Sequence, residues 1–303
     1  MWYLIPQEPI NAWERRKKEM KKMVKISGFA DEIAGDLVTQ VKNLKKLNME
    51  YVEMRGVDGD NLIYHSDEKV AEIKKYLDEN GIRLSALGSP LGKIGIQEEF
   101  GPHFESYKRA VEVAHKMECR NIRMFSFYLP ENQPVSSFED EVFERIGKFA
   151  EYAKANGVVL LHENEKGIYG EKAKECRKLM ENFYGEHFKA IFDFANFVQA
   201  KENTLKAYEL LKDYIAYIHV KDAKMEDGRV VPAGYGDGHV KEILSALFDK
   251  GFDGYLSLEP HLFHFSGFDL LEKDQVSIQH QERGELNGEE AFALAYASLQ
   301  KLL

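Results

Sequence analysis

Cysteine is scarce: the 303-residue chain has two, Cys119 and Cys176, with no spacing that suits a metal or a redox pair. A disulfide scaffold or a thiolate zinc site is therefore not expected, and a reducing cytoplasm fits. Cations are in deficit too. Lys and Arg number 41 against 51 Asp and Glu, a formal net charge of -10, whereas a nucleic-acid partner calls for a surplus of basic residues. No apolar run approaches the ~20 residues of a membrane span, and the amino terminus lacks the continuous apolar segment of a signal peptide. No G-x-G-x-x-G follows the first apolar run, which weakens a dinucleotide-binding, doubly wound sheet. What is present is ordinary: 44% hydrophobic and 30% charged residues, enough apolar material for a large core.

From Met23 onward, strand-like and helix-like stretches alternate with a period of about 30–35 residues. The units share no sequence signature, which favours a closed barrel over a solenoid. Strands are expected at residues 24–29, 51–55, 82–87 and 121–127, then in four runs beginning at Val158, Ala190, Ile215 and Tyr255. Helices follow each strand; those ending at Asn80-Gly81 and Asn156-Gly157 carry a common stop. A loop with Gly88, Pro90, Gly92 and Gly95 is expected after the third strand. Eight such units predict an α/β fold, a (β/α)8 TIM barrel, as a single domain over residues 23–303. Residues 1–22 form a short N-terminal extension, whose basic run from Arg15 to Lys22 reads as a solvated helix. Residues 261–287 make an unusually long connection after the eighth strand, expected to be a lid or a substrate wall.

The later strands all end alike. Val158-Val-Leu-Leu-His-Glu-Asn164, Ala190-Ile-Phe-Asp193, Ile215-Ala-Tyr-Ile-His219 and Tyr255-Leu-Ser-Leu-Glu259 are apolar runs, each closed by a metal-ligand type. Buried runs of this kind belong to parallel sheets, and their carboxyl ends form the rim where barrels do chemistry. One Asp at a strand end is commonly a helix cap. Four such residues on successive strands instead point to one divalent cation held by Glu163, Asp193, His219 and Glu259. Three carboxylates and one imidazole suit Mn, Mg, Co or Zn.

The motifs Leu161-His-Glu-Asn164, Phe192-Asp-Phe-Ala-Asn196, Ile218-His-Val-Lys-Asp222 and Leu258-Glu-Pro-His261 resemble those of the xylose-isomerase-like barrel superfamily. That superfamily includes sugar-phosphate isomerases, ketose 3-epimerases and inosose dehydratases, and the resemblance covers nearly everything from Met23 on. It implies the same four metal ligands, with Glu163 and Glu259 as the catalytic acid/base pair. The implied activity is a divalent-metal-dependent isomerase or epimerase of a sugar, sugar phosphate or polyol, working through a metal-stabilised enediolate. Family members often carry His where this chain has Asn196, and an arginine after the strand-seven histidine, for which Lys221 stands in. Both departures bear on the substrate.

Asn196, Lys221, His261 and Glu53 are the expected substrate-binding residues. Glu53 has a competing reading, a buried ion pair with Arg55 or Arg123. Asp222 is a candidate partner behind the site, and His162 is expected to pack outward beneath a helix. Gly234, Gly236 and Gly238 form a G-x-G-x-G that could dock a phosphate at the next helix, although a plain turn is the simpler reading. An inosose-type dehydratase and a non-catalytic sugar-binding protein are the alternatives; an endonuclease fits less well, as the early strands lack further histidines. The expected partner is a small sugar or polyol, with neither nucleic acid nor membrane, and homo-oligomers are common among such barrels.

Overall fold

A computed structural model describes residues 24–262 and 286–303, so the expectations for residues 1–22 and most of the 261–287 connection lie outside the described residues. Eight parallel strands form one sheet: β1 (Lys25–Gly28), β2 (Tyr51–Met54), β3 (Arg83–Leu91), β4 (Asn121–Met124), β5 (Val159–Glu163), β6 (Phe188–Asp193), β7 (Ile215–Val220) and β8 (Tyr255–Leu258). The order is β1-β8-β7-β6-β5-β4-β3-β2. A single parallel bridge between Phe29 and Glu53, just past the end of β1, completes the ring between β1 and β2. The fold is a TIM barrel.

Helices cover the outside: α1 (Leu37–Lys46), α2 (Asp67–Glu79), α3 (Phe100–Lys116), α4 (Glu139–Asn156), α5 (Ala173–Phe183), α6 (Phe194–Gln199), α7 (Thr204–Leu211), α8 (Val240–Asp249) and α9 (Gly288–Leu302). None of them is long and apolar enough to cross a membrane. Their starts follow local chemistry. Asp36, Ser66, Asn203 and Asn287 each accept a backbone N–H from the first turn, and Asn287 forms a reciprocal capping box with Glu290.

Strand parity decides what faces the site. Alternate residues of a strand point to opposite faces. Ala86, Val159, Leu161, Ile191 and Tyr217 form a small apolar cluster of their own, apart from the large one that includes Leu160, Phe192, Ile218 and Leu256. The small cluster is the plug inside the ring, and the large one lies between sheet and helices. Continuing the inward parity gives Glu163 after Leu161, Asp193 after Ile191, and His219 after Tyr217. The same step leads from Ser257 to Glu259, from Glu53 to Arg55, and from Asn121 to Arg123.

Three expectations need correction, the first being the fourth strand, which ends at Met124 and not at Phe127. The third strand does not stop at Leu87 but runs to Leu91, through Gly88 and Pro90. Ser89 keeps it in the sheet by donating its hydroxyl to the Arg123 carbonyl at 2.5 Å, with a register shift between Leu87 and Leu91. The chain turns only at Gly92 (φ +85), where a Cβ would lie 2.0 Å from the Phe125 carbonyl oxygen. Helix α6, immediately after Asp193, was not expected. Its N-cap is Asp193 itself, accepting the Asn196 N–H at 2.7 Å.

Candidate active site

Glu163, Asp193, His219 and Glu259 meet at the carboxyl-terminal rim of the barrel, all four buried. One ligand atom from each lies within 4.8 Å of the others. Asp193 is both cap and cluster member: Oδ1 holds α6, while Oδ2 is buried, accepts no hydrogen bond and has the Lys221 ammonium 3.2 Å away. Asn164 locks β5 to β6 beside it, donating to the Asp193 carbonyl and accepting the Asp193 N–H. His219 directs Nδ1 at the carboxylates, 2.9 Å from Glu163, 3.7 Å from Glu259 and 3.9 Å from Asp193. This donor set, with a buried carboxylate oxygen that no hydrogen bond satisfies and that the Lys221 ammonium faces, fits a divalent cation.

Fixed cations surround the carboxylates. Arg123 Nη1 lies 3.2 Å from Glu163 Oε2 and 3.8 Å from Glu259 Oε1, so one guanidinium spans both glutamates. Arg55 donates to Glu259 at 3.3 Å and makes a two-nitrogen contact with Asp31 at 2.7 and 3.2 Å. Lys221 donates to Glu259 at 2.9 Å. The cations are ordered by aromatic faces. The Phe29 ring lies between Arg55 (4.4 Å) and Arg123 (4.8 Å), and the Phe125 ring between Arg123 (5.0 Å) and Lys93 (4.4 Å). Lys93 in turn pairs with Glu165 at 2.8 Å.

The electrostatic result is a set of carboxylates with unequal proton affinity. Burial would raise Glu163, but His219 and Arg123 override it and hold the carboxyl down to about 2. Burial likewise opposes ionisation of Glu259, and Lys221 and His261 outweigh it, leaving the group well below the usual carboxylate range. Asp193 goes the other way: burial lifts it to about 7 against the pull of Lys221. Burial disfavours a charged His219, yet Glu163 and Glu53 raise it well above an ordinary imidazole.

Glu32, Glu259 and His261 make a second compact group of ligand types. The Arg55 guanidinium is already seated there, 3.5 Å from Glu32 and 3.3 Å from Glu259, so an internal cation serves this group. Burial lifts Glu32 to about 7, while Glu32 overcomes the effect of burial on His261 and draws it up to about 9.

A cavity of about 600 Å³ opens over the cluster. Of the expected substrate-binding residues, Asn196, Lys221 and His261 line it, together with both glutamates. Asn196 also donates to Glu163 Oε1 at 3.3 Å. Glu53 is not on the cavity wall. It is fully buried behind His219, with Oε2 3.1 Å from Nε2, and it pairs with neither arginine. His162 does face outward, against Ser126 Oγ at 2.9 Å, and burial lowers it to about 4.

The glycine loop docks on the protein itself. Asp222 is buried and its carboxylate accepts N–H bonds from Ala223, Gly234, Gly236 and Gly238 at 2.9–3.0 Å. A Cβ at Gly236 would sit 2.2 Å from Asp222 Oδ1, so the close approach requires glycine. Arg55 and Arg123 enter the sequence reading only as ion-pair partners of Glu53, and Asp31 and Glu32 have no role in it. Parity would have found the arginines, since each lies two residues past an inward-facing neighbour on its strand.

A family model for the xylose isomerase-like TIM barrel matches residues 41–279. Two curated relatives are the uncharacterised proteins YihM of Escherichia coli (strain K12) and MJ1311 of Methanocaldococcus jannaschii. They are 25% identical over 179 residues and 23% identical over 163 residues, covering 56% and 51% of this chain. The chain spans about half the length of these curated relatives, 53% and 55%. Among solved structures it is similar to the IOLI protein with a bound zinc atom (TM-score 0.71, 16% identity, 92% of this chain and 98% of that one). It is also similar to D-psicose 3-epimerase from Clostridium cellulolyticum H10 (0.69, 16%, 92% and 98%) and to the probable 3-DHS dehydratase AsbF from Bacillus anthracis (0.65, 17%, 78% and 92%). At such identities the likeness is one of fold. The family match, spanning most of the barrel and all four rim motifs, establishes that the chain belongs to the xylose isomerase-like TIM barrel family.

Proposed function

We propose that this protein is a divalent-metal-dependent isomerase or epimerase of a small sugar, sugar phosphate or polyol. The observation that carries the reading is the convergence of Glu163, Asp193, His219 and Glu259 beneath a cavity that both glutamates line. The D-psicose 3-epimerase among the structural neighbours supports it. When bound, a divalent cation supplies Lewis acidity to a carbonyl and its adjacent hydroxyl. Glu163 and Glu259 are held ionised by Arg123, Arg55 and Lys221, so either can accept the carbon-bound proton of a keto sugar. Asn196 and His261 present polar groups to substrate hydroxyls. The buried cations favour negative charge developing on the substrate as an enediolate forms.

A dehydratase is the second reading, and Lys221 favours it. Its ammonium lies 2.9 Å from Glu259, so a base and a proton-bearing group stand side by side. Proton abstraction by Glu259 and protonation of a β-hydroxyl by Lys221 would release water and leave an enone. The probable dehydratase among the neighbours agrees with this chemistry.

The test is metal content of purified protein beside Glu163→Gln and Asp193→Ala, followed by solvent-deuterium exchange into candidate ketoses and keto-inositols. The expected result is about one metal ion per chain, lost in both variants, with exchange abolished in Glu163→Gln or Glu259→Gln. Wild-type protein that takes up no Mn²⁺, Co²⁺ or Zn²⁺ would overturn the reading in favour of a binding protein.

A further inference from the structure

Inside the barrel, beneath the rim, runs a chain of polar side chains that the proposed reaction does not use. Ser27 Oγ lies 2.6 Å from Ser85 Oγ, and Ser85 Oγ lies 2.7 Å from the Tyr217 hydroxyl. Tyr217 then donates to Glu53 Oε2 at 2.9 Å, Ser257 donates to the same oxygen at 2.7 Å, and His219 Nε2 lies 3.1 Å from it. All of these residues are buried. Burying a carboxylate and four hydroxyl groups in the centre of a barrel is costly unless they are hydrogen-bonded, and here the bonds lead through Glu53 Oε2 to His219.

We infer that Glu53 is a positioning residue that fixes the ring orientation and tautomer of His219 for metal ligation. This rests on the proposed metal site. The donors converge on one oxygen, Oε2, while Oε1 accepts no hydrogen bond. Two hydroxyls already donate into Oε2, and a carboxylate oxygen cannot donate in return. Nε2 of His219 must therefore carry a hydrogen. In a neutral ring that leaves the lone pair on Nδ1, the nitrogen facing Glu163, Glu259 and Asp193. The ring is held from the sides as well, edge-on to Phe29 (centroids 5.3 Å apart) and to Tyr217 (5.8 Å). Glu53 is thereby removed from the substrate-binding set: it acts through His219, from a place no substrate reaches. The arrangement has the general form in which a carboxylate behind a histidine orients it and raises its basicity toward a metal.

The test uses Co²⁺ titration of the full chain and a spectroscopic readout of the ring nitrogens. Glu53→Met removes the acceptor and should weaken Co²⁺ binding by about 10–100-fold. Glu53→Gln keeps an acceptor oxygen and should recover much of that loss. Tyr217→Phe and Ser257→Ala each remove one donor that anchors Oε2 and should cost a smaller factor. They also carry the test if Glu53→Met fails to fold. In ¹¹³Cd-loaded protein with ¹⁵N-labelled histidine, the metal coupling of His219 should appear at Nδ1, with Nε2 protonated. Coupling at Nε2 would overturn the assignment, as would Co²⁺ affinities of all the folded variants within twofold of wild type. Wild-type protein that binds no metal would instead remove the metal site and, with it, this role for Glu53.

Discussion

At the scale of single residues, the site is an ion-pair lattice in which removing one charge strands others. Arg55 is the clearest case, because Asp31, Glu32 and Glu259 all lean on it and all are buried or nearly so. Replacing it by Met keeps the bulk but leaves three carboxyl groups without their shared cation. The expected loss is about 3–5 kcal/mol in chemical denaturation; less than about 1 kcal/mol would mean the cluster neutralises itself by taking up protons. The four metal-ligand candidates were legible in the sequence because each closes an apolar run, a purely local pattern. The partners of those residues were not. Arg55 and Glu259 are 204 positions apart, and their meeting follows from ring closure, which no local window contains. Glu53 shows the same limit: its charge and inward parity were readable, but its depth below the rim depends on the stagger of the strands.

At the scale of elements, helices and most strands follow their apolar periodicity closely, whereas strand ends do not. β3 was expected to give way to loop at Gly88 because glycine and proline there read as turn chemistry, yet a serine hydroxyl supplies the missing ladder contact. The turn that does follow is tied to α3: the Gly92 N–H donates to His103 Nε2 at 2.7 Å, which requires that nitrogen to be unprotonated. Burial is the main cause lowering His103 to about 4 from an ordinary 6.5, with Glu98 opposing and Arg145 assisting. The folded state thus favours the neutral ring. The stability this group contributes is present above pH 6.5 and is lost as pH falls from 6.5 through 4. The full shift corresponds to about 3 kcal/mol, and partial exposure reduces that to about 1–2 kcal/mol. His103→Gln keeps an acceptor and has no proton to gain. Its acid limb in urea denaturation should be flatter than wild type by that amount; parallel limbs would show that His103 does not titrate with folding.

At the scale of the whole molecule, the barrel depends on its last helix to seal the first strand. In α9, Phe292 is buried against Gly28, where an added Cβ would lie 2.7 Å from the ring. Phe292→Ala should cost about 3–5 kcal/mol and lower the thermal midpoint. Leu294→Ala on the same helix, 40% exposed, should change stability by under about 0.5 kcal/mol. Equal effects would mean that α9 packs without discriminating between its faces. The glycine loop bears on the choice of substrates in a screen. Gly234, Gly236 and Gly238 arrive with an internal counter-ion, since the Asp222 carboxylate has already taken the backbone donors that a phosphoryl group would need. A sugar phosphate gains no anchorage there, so phosphate buffer should leave this loop undisturbed and unphosphorylated ketoses and cyclic polyols are the compounds to try first.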